Sequence, residues 1–184
     1  MWIRMVVDNM KYNIGENVII KKASINDLDK ILKFQKNIID AMPNKEFFTP
    51  LTEHEFVYPI ENNGLVYLLY YDNTLIGLFV LTINPEDDIL DEYQLDNSLD
   101  VAIFDSVMIE DKYRGNGLQL QGMKLINKGA AKLGVKRIVA TIHPNNRYSL
   151  DNFLKDEYKI INQINIHGGP RLIVEKIVWG DFNE

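Results

Sequence analysis

The sequence predicts an α/β fold in which helices flank a sheet with both parallel and antiparallel strands. Three observations lead to this prediction. Apolar residues recur at helical spacing in some segments and form short continuous runs in others. Two pairs of these runs are separated only by turn residues, which indicates β-hairpins. One run precedes a helical segment and another follows it, which indicates a β-α-β crossover with a parallel strand pair.

The first predicted elements are a strand and a helix. Residues 16–23 (ENVIIKKA) are typical of a short strand. Ser24 then begins a helix, with Asp27 at its third position as a variant of the capping box. Thr52, followed by Glu55 three residues later, is a second and weaker helix start. The apolar residues at helical spacing in the first helix are Leu28, Ile31, Leu32, Ile38, Ile39 and Met42.

A β-hairpin is predicted in the middle of the chain. Residues 65–71 and 74–83 are apolar runs joined by Asp72 and Asn73, which favour a tight two-residue turn. Residues 101–109 (VAIFDSVMI) form the next strand.

A helix, a strand, a second helix and a last hairpin complete the prediction. The first helix follows the segment YRGNG, and Gly134 is placed to end it. Its expected apolar face consists of Leu118, Gly122, Leu125, Ile126, Gly129 and Leu133. The remaining elements are a strand at 135–142, a helix at 146–156, and a hairpin of 158–166 and 171–179 around the turn HGGP.

The composition is typical of a single globular domain. The chain has 184 residues, of which 46% are hydrophobic and 25% are charged. We assign residues 1–15 to an N-terminal extension of uncertain role and residues 16–184 to one domain. The first residues lack the apolar core of a signal peptide, and no apolar run approaches the length of a membrane span. We therefore expect a cytoplasmic protein with no membrane partner.

Charge and cysteine content exclude several classes of function. The net charge of -6 argues against broad electrostatic binding to nucleic acid or anionic membranes. The absence of cysteine excludes disulfides, thiolate metal sites and cysteine nucleophiles.

The segment YRGNGLQLQG, residues 113–122, has the composition of an anion site. A helix start exposes unpaired backbone N–H groups, and glycines allow a ligand to approach them closely. Arg114 adds a charge that can pair with phosphate. A P-loop would need Lys-Ser or Lys-Thr after the last glycine, where Leu118 and Gln119 stand. A dinucleotide fingerprint would need a third glycine, where Leu120 stands. From these residues alone, an anion site and a turn that only caps the helix both remain open.

Together with its neighbours, this segment resembles the GCN5-related N-acetyltransferases (GNAT). Arg114 and Gly117 fill the first fixed positions of the family signature, whereas Gln119 stands where Gly or Ala is usual. Downstream, the positions of the family pattern are taken by Asn146, Ser149, Phe153 and Tyr158, with Glu157 in place of a glycine. The resemblance extends over about residues 16–179. It implies a largely antiparallel sheet with a central, splayed parallel strand pair, and residues 16–184 become a single acetyltransferase domain.

The resemblance implies direct transfer of an acetyl group from acetyl-CoA, as co-substrate, to a primary amine of a small molecule or peptide. Backbone groups of Val107 and Ile109 would pair with the pantetheine arm, and the Val107 amide would polarise the thioester carbonyl. The pyrophosphate would lie on the amides of residues 114–119. The residues expected to bind the cofactor are Val107, Met108, Ile109, Arg114, Gly115, Asn116, Gly117, Leu118, Gln119, Asn146, Ser149 and Phe153.

A general base and a general acid are sought for this chemistry. An ammonium must lose a proton before it attacks, and Asp105 is the candidate base. It shares alternation with Val107 and Ile109 along the strand. Alternatively, Asp105 hydrogen-bonds a neighbouring loop or binds the ammonium. The resemblance places Phe153 where the family has a tyrosine acid, and phenylalanine cannot donate a proton. Either Tyr148 or another hydroxyl substitutes for it, or the thiolate leaves without a protein acid.

The histidines predict no metal site. His143 ends a strand near the expected site and either shuttles a proton or closes a turn. His54 is expected on a helix surface and His167 in a turn. No pair has the spacing of metal ligands.

Two features bear on the acceptor and point to different substrates. Residues 85–100 contain seven acidic residues and no basic one, so they either attract a cationic amine or form a solvated loop. Arg171 either binds an acceptor carboxylate, as in an amino acid, or pairs with a surface acid.

Other functions and assemblies remain open from the sequence. A non-catalytic acetyl-CoA sensor or interaction module is the alternative function, because Phe153 and Gln119 depart from the family pattern. A homodimer is possible through the edges of the last hairpin.

Overall fold

The structure is a computed structural model that describes the backbone of residues 2–4 and residues 18–95 and 100–178. Within these ranges, strands form one sheet in the order β1-β2-β3-β4-β5-β6-β8-β7. The strands are β1 Trp2–Arg4, β2 Val18–Lys22, β3 Leu65–Tyr71, β4 Thr74–Ile83, β5 Val101–Ile109, β6 Arg137–Ile142, β7 Lys159–Ile166 and β8 Gly169–Ile177. The helices are α1 Leu28–Ala41, α2 Glu53–Glu61, α3 Asp87–Glu92, α4 Leu118–Lys132 and α5 Arg147–Lys155.

The sheet is antiparallel except between β5 and β6, which confirms the predicted mixed α/β fold. The parallel pairing is short and ends at the pair Ile103 and Val139. Both strands continue beyond this pair, β5 to Ile109 and β6 to Ile142. The two strands therefore separate and leave a gap in the middle of the sheet, as the splayed strand pair requires.

Local signals place the first helices where the sequence predicts them. Ser24 and Asp27 form a capping interaction, in which the Ser24 backbone N–H and hydroxyl both donate to the Asp27 carboxylate. Thr52 and Glu55 form the second capping box at the start of α2. The buried face of α1 differs in part from the expected one, because Ile31, Phe34, Gln35 and Ile38 are buried, whereas Leu28, Leu32, Ile39 and Met42 are only partly so.

Helices cover both faces of the sheet. Helices α1 and α2 pack on one face, and α4 and α5 pack on the other. Gly122 on α4 lies directly on Phe79 of β4, so closely that a Cβ atom there would be 2.1 Å from the ring. Gly134, at φ 87°, follows the end of α4. The prediction that Leu133 belongs to the apolar face is wrong, because it is 54% exposed beyond the last helical turn.

Three details of the prediction need correction. Residues 85–100 were expected to be a loop, but α3 lies within this segment and its Leu90 and Tyr93 are buried. The last turn consists of His167 and Gly168, so β8 begins at Gly169, two residues earlier than expected. In the expected N-terminal extension, residues 2–4 form β1, which pairs with β2. Residues 5–17, 96–99 and 179–184, with the end of the predicted last strand, lie outside the described residues.

Candidate active site

The gap between β5 and β6 exposes backbone groups of β5. The N–H of Glu110 donates to Ile76 O on β4, so Glu110 and alternate residues before it point their backbone groups toward β4. Val107 and Ile109 lie between these positions and direct theirs toward the gap. Met108, in contrast, directs its backbone to β4 and buries its side chain against α1 and α2. The two strand positions expected to pair with the pantetheine arm, Val107 and Ile109, therefore have the required orientation, whereas Met108, also expected to bind the cofactor, does not.

The glycine segment forms a tight loop between β5 and α4. Gly115 and Gly117 have φ values of 77° and 72°, which disfavour residues with a side chain. Asn116 is fully buried, and its side-chain amide donates to Tyr113 O at 2.9 Å. Its side chain therefore holds the loop in shape, and a ligand can meet its backbone only. The first N–H groups of α4, which follows this loop, have no partner within the helix.

Arg114 links the loop to the open strand. Its Nε donates to Ile109 O at 2.9 Å, and its Nη1 lies 3.2 Å from the carboxylate of Asp111. The side chain remains 43% exposed, so part of its guanidinium is available to an anion in solution.

Helix α5 and its N-cap bring three predicted residues to the cleft: Asn146, Ser149 and Phe153. Asn146 caps α5 by accepting from the Ser149 N–H at 3.2 Å. The side chain of Gln119, where the family has a small residue, reaches across from α4. It donates to Ser149 Oγ at 3.5 Å and accepts from Asn152 Nδ2 at 3.3 Å, both long hydrogen bonds.

A cleft that is partly open to solvent runs through the gap. Residues of β5 and β6 line its middle, and α5 lines one side. The loop between α1 and α2 lines the other side through Phe47, Phe48 and Thr49. This loop is held by Gln35, whose side-chain amide exchanges two hydrogen bonds with the backbone of Leu51.

Asp105 lies in the cleft at a β-bulge. Opposite β4, the register moves from Leu81–Phe104 to Val80–Ser106, so Asp105 is the extra residue. Its carboxylate accepts a 2.6 Å hydrogen bond from the Thr82 hydroxyl. The residue keeps partial exposure at the cleft, whereas its carboxyl group is buried. Burial, together with the negative charge of Glu55, raises the pKa of Asp105 to about 7, against the lowering effect of Thr82.

The bulge corrects one inference from the sequence. Strand alternation predicted that Asp105 shares a side of β5 with Val107 and Ile109. The extra residue reverses the alternation, because Ala102 and Phe104 before it pack on the α4 face, as do Val107 and Ile109 after it. Asp105 therefore lies on the other face, toward α2 and α3.

Comparison with known proteins identifies the family. A sequence model described as the acetyltransferase (GNAT) family matches residues 32–155. This is more than half of the chain. The chain belongs to this family. We therefore assign it as an acetyltransferase. No curated protein matches the sequence.

Solved structures share the fold. An N-acetyltransferase from Staphylococcus aureus Mu50 is 19% identical, has a TM-score of 0.68, and the match covers 88% of this chain and 99% of that one. The yncA protein from Salmonella typhimurium, solved with its cofactor acetyl-CoA, is 13% identical and has a TM-score of 0.68. The match covers 90% of this chain and 96% of that one. The NatC complex bound to Gag peptide and CoA matches at 13% identity and a TM-score of 0.70, covering 88% and 98%. These likenesses support the fold.

The structure of the acetyltransferase brings none of the tyrosines considered as proton donors to the cleft. Phe153 lines the cleft, where its ring packs edge-on against Phe104 and Tyr158. Tyr148 is 87% exposed and does not line the cleft, so the structure does not bring the candidate acid to the site. The Tyr158 hydroxyl donates to Asn127 Oδ1 at 2.9 Å in the interior. Burial also raises the pKa of Tyr158.

The histidines of the acetyltransferase have structural surroundings. His143 closes the turn after β6, where its Nδ1 accepts from the Asn145 N–H and its carbonyl accepts from the Asn146 N–H. Its ring packs on Phe47. His54 is exposed on α2, and His167 lies in the last turn. In the described part of the chain, no three metal-ligating side chains come together, and none of the helices there is long and apolar enough to cross a membrane.

Arg171 lines the cleft and is only 4% exposed. Its Nη1 donates to Pro170 O at 2.9 Å and its Nη2 to Glu46 O at 3.1 Å. Burial lowers the pKa of Arg171. The expected alternative, an ion pair with a surface acid, is absent among residues 18–95 and 100–178.

Several residues in or beside the cleft of the acetyltransferase were not found from the sequence. Thr82 and Ser106 contact or line the site only because of the bulge in β5. Tyr93, at the end of α3, is buried, and its burial, together with the negative charge of Asp105, raises the pKa of Tyr93. Phe48 lines the cleft from a loop with no periodic pattern. Asp87 and Asp88, in the first turn of α3, are a local signal for this helix, since acidic residues favour a helix start.

Proposed function

We propose that the protein transfers an acetyl group from acetyl-CoA to a primary amine of a small molecule or peptide. The observation that carries this proposal is the separation of β5 from β6 beyond Ile103. It leaves the Val107 backbone open in the same cleft as Asp105. A strand edge for the thioester and a carboxylate for the amine thus meet at one place.

The glycine loop and the open strand edge suit coenzyme A. A Cβ atom added at Gly117 would have no other atom within 4 Å. A phosphate therefore has room to approach the backbone amides of residues 115–119. Arg114 adds a partly exposed positive charge. The N–H groups of Val107 and Ile109 would hold the pantetheine arm. Gln119 would have to release its two long hydrogen bonds, or be bypassed, because its side chain spans the space between α4 and α5.

The reaction forms an amide and breaks a thioester. Acetyl-CoA supplies an acyl carbon that is activated by its bond to sulfur. Asp105, with its pKa near 7, is the group in this chain best suited to accept the proton of the incoming ammonium, directly or through water. The Val107 N–H would stabilise negative charge on the carbonyl oxygen while the amine nitrogen bonds to the acyl carbon and the carbon–sulfur bond breaks.

The proton on the departing sulfur does not need a protein donor. Phe153 has no hydroxyl, and the exposed Tyr148 does not line the cleft. A thiol has an ordinary pKa of about 8.5, so its thiolate is a tolerable leaving group and takes a proton from water.

Binding and turnover test the proposal separately. Thermal shift with acetyl-CoA, CoA, NAD and ATP should show stabilisation by the first two only. Ligand at about 100 times Kd contributes about 2.7 kcal/mol, or on the order of 5–10 °C in Tm. An amine panel with thiol release as the readout then tests transfer. Tight binding of acetyl-CoA without turnover on any amine would favour the alternative, a sensor that binds without catalysis.

The partners and location proposed from the sequence rest on fewer observations. Ile160 and Ile161 are 48% and 43% exposed on the edge strand β7, which suits pairing between two copies of the chain. Light scattering of the purified protein tests this dimer. The cytoplasmic location is proposed from the sequence alone and is tested by fractionation of the source cells.

A further inference from the structure

The cleft contains a buried positive charge, Arg171, with no counter-ion among residues 18–95 and 100–178. The Arg171 guanidinium donates to two backbone carbonyls, which satisfy two of its five N–H groups. No carboxylate of the described residues lies within ion-pair distance of it. Because an arginine keeps its charge in proteins, the described residues leave this nearly buried cation without a charged partner.

A second buried group in the same cleft also lacks a partner. The Ser106 hydroxyl is buried and has no hydrogen-bond partner within the part of the chain that the structure describes. Ser106 follows Asp105 on β5 and lines the cleft with Arg171. Unpaired buried polar groups cost free energy in the folded protein, and a ligand that pairs with them regains it.

The surroundings of Arg171 suit a small ligand. The aromatic rings of Phe47 and Phe48 line the same side of the cleft, and the loop that carries them is tied to Arg171 through the Glu46 carbonyl. The Arg171 guanidinium presents the fork of donors that matches a carboxylate. Asp105 lines the same cleft and suits the amine end of the same molecule.

From these observations we propose that the acceptor is a small amino acid. Its carboxylate binds Arg171 with help from the Ser106 hydroxyl, and its amine faces Asp105 and the thioester. This inference rests on the proposed acetyl transfer and adds the class of substrate. The acidic segment 85–100 would then not select the acceptor by charge, since a zwitterion carries no net charge.

The test compares matched acceptors. Acetyl-CoA turnover is measured with α-, β- and γ-amino acids, each beside its own carboxamide, which keeps the amine and removes the negative charge. We expect at least one amino acid to have a kcat/KM about 10- to 100-fold above that of its amide, as charged hydrogen bonds of this kind provide. Simple alkylamines and a peptide N-terminus complete the panel.

Variants separate recognition from structure. Arg171→Met should bring the ratio of acid to amide close to one, and Arg171→Lys should keep part of it. A merely structural role in tying down the Glu46 loop would slow both acceptors equally and leave the ratio unchanged. Lys128→Met removes the same charge from an exposed position of α4 and should leave the ratio unaltered. Because the ratio is measured within each variant, a loss of stability does not imitate the expected result.

Each other outcome overturns the inference. Equal use of acid and amide by the wild type, a ratio that survives Arg171→Met, or acetylation only of alkylamines or peptides would reject an amino acid substrate while the proposed acetyl transfer stands. No turnover with any amino acid rejects it as well. If acetyl-CoA also fails to shift Tm, the proposed function itself is wrong.

Discussion

The hydroxyl of Thr82 on β4 donates a 2.6 Å hydrogen bond to the carboxylate of Asp105 on β5. This bond favours the ionised carboxylate, whereas burial and the charge of Glu55 favour the protonated one. The balance raises the pKa of Asp105 only to about 7. A base with such a pKa is half ionised at neutral pH and can both accept and release a proton.

Removing this hydrogen bond should move the pH dependence of the reaction. In the wild type, kcat/KM should rise with pH through an apparent pKa of about 7, because Asp105 must be ionised to accept a proton. Thr82→Val deletes the donor, and we expect the rise to move upward by about one pH unit, equivalent to roughly 1.4 kcal/mol. Profiles from pH 5.5 to 9 measure it. Thr74→Val, at the exposed start of β4, is the matched control. An unmoved profile in Thr82→Val would show that Asp105 is not the titrating base.

The same carboxylate should make stability depend on pH. Its folded pKa of about 7 lies above the unfolded value of 3.8, so its favourable contribution is complete below 3.8 and is lost as pH rises through 7. Asp105→Asn remains neutral throughout. We therefore expect the Tm of Asp105→Asn relative to the wild type to increase from pH 5 to pH 8, measured by thermal unfolding. Its kcat should fall by about 10²- to 10⁴-fold. A relative Tm that is independent of pH would contradict the raised pKa; Asp72→Asn, in an exposed turn, gives the baseline.

Local signals explain why much of the fold could be predicted. The hairpin of β3 and β4 has the expected bounds, because Asp72 and Asn73 both adopt the positive φ values that such a turn needs. Capping pairs and Gly134 act within a few residues of where they stand, so a single segment of sequence contains the whole signal.

Features that depend on two distant segments could not be predicted. The bulge at Asp105 arises from the register of β5 against β4, and no pattern within β5 reveals it. It decides which face Asp105 points to and brings Thr82 to it. The burial of Arg171 likewise depends on the loop at Glu46, 125 residues away in sequence. The glycine loop, in contrast, and the helix that follows it are formed by consecutive residues. The loop could therefore be predicted from one segment of the sequence.

The contact between Gly122 and Phe79 should be sensitive to one methyl group. Gly122→Ala puts a Cβ 2.1 Å from the Phe79 ring, in a core where neither backbone can yield easily. Overpacking of this kind costs about 1–3 kcal/mol, more than the gain of up to about 1 kcal/mol from replacing glycine in a helix. We expect Tm to fall by several degrees. In Gly129→Ala, the nearest atom is the flexible end of Leu65 at 3.1 Å, so Tm should stay or rise. Equal effects in the two variants would contradict the packing argument.

The exposed position of Tyr148 gives a prediction about the acid. Tyr148→Phe removes a hydroxyl from a side chain that is 87% exposed and outside the cleft. We expect kcat and the pH profile to remain within about twofold of the wild type, since general acid catalysis that is lost typically costs 10²-fold or more. Steady-state kinetics between pH 6 and 9 measure this. A large fall in kcat would instead mean that α5 moves Tyr148 into the cleft when substrates bind.

The backbone of the glycine loop should control the affinity for acetyl-CoA. Gly117→Ala adds a side chain at φ 72° with open space around it, so its cost is conformational and on the order of 1 kcal/mol. A loop that relaxes from this shape presents its amides less well, and we expect KM for acetyl-CoA to rise about 5- to 10-fold with little change in kcat. Gly168→Ala has the same kind of strain at φ 77° and the same open surroundings, but in the turn between β7 and β8. It should lower Tm by a similar amount and leave KM unchanged. If both variants raise KM alike, the effect comes from general destabilisation, and the loop does not bind the cofactor as proposed.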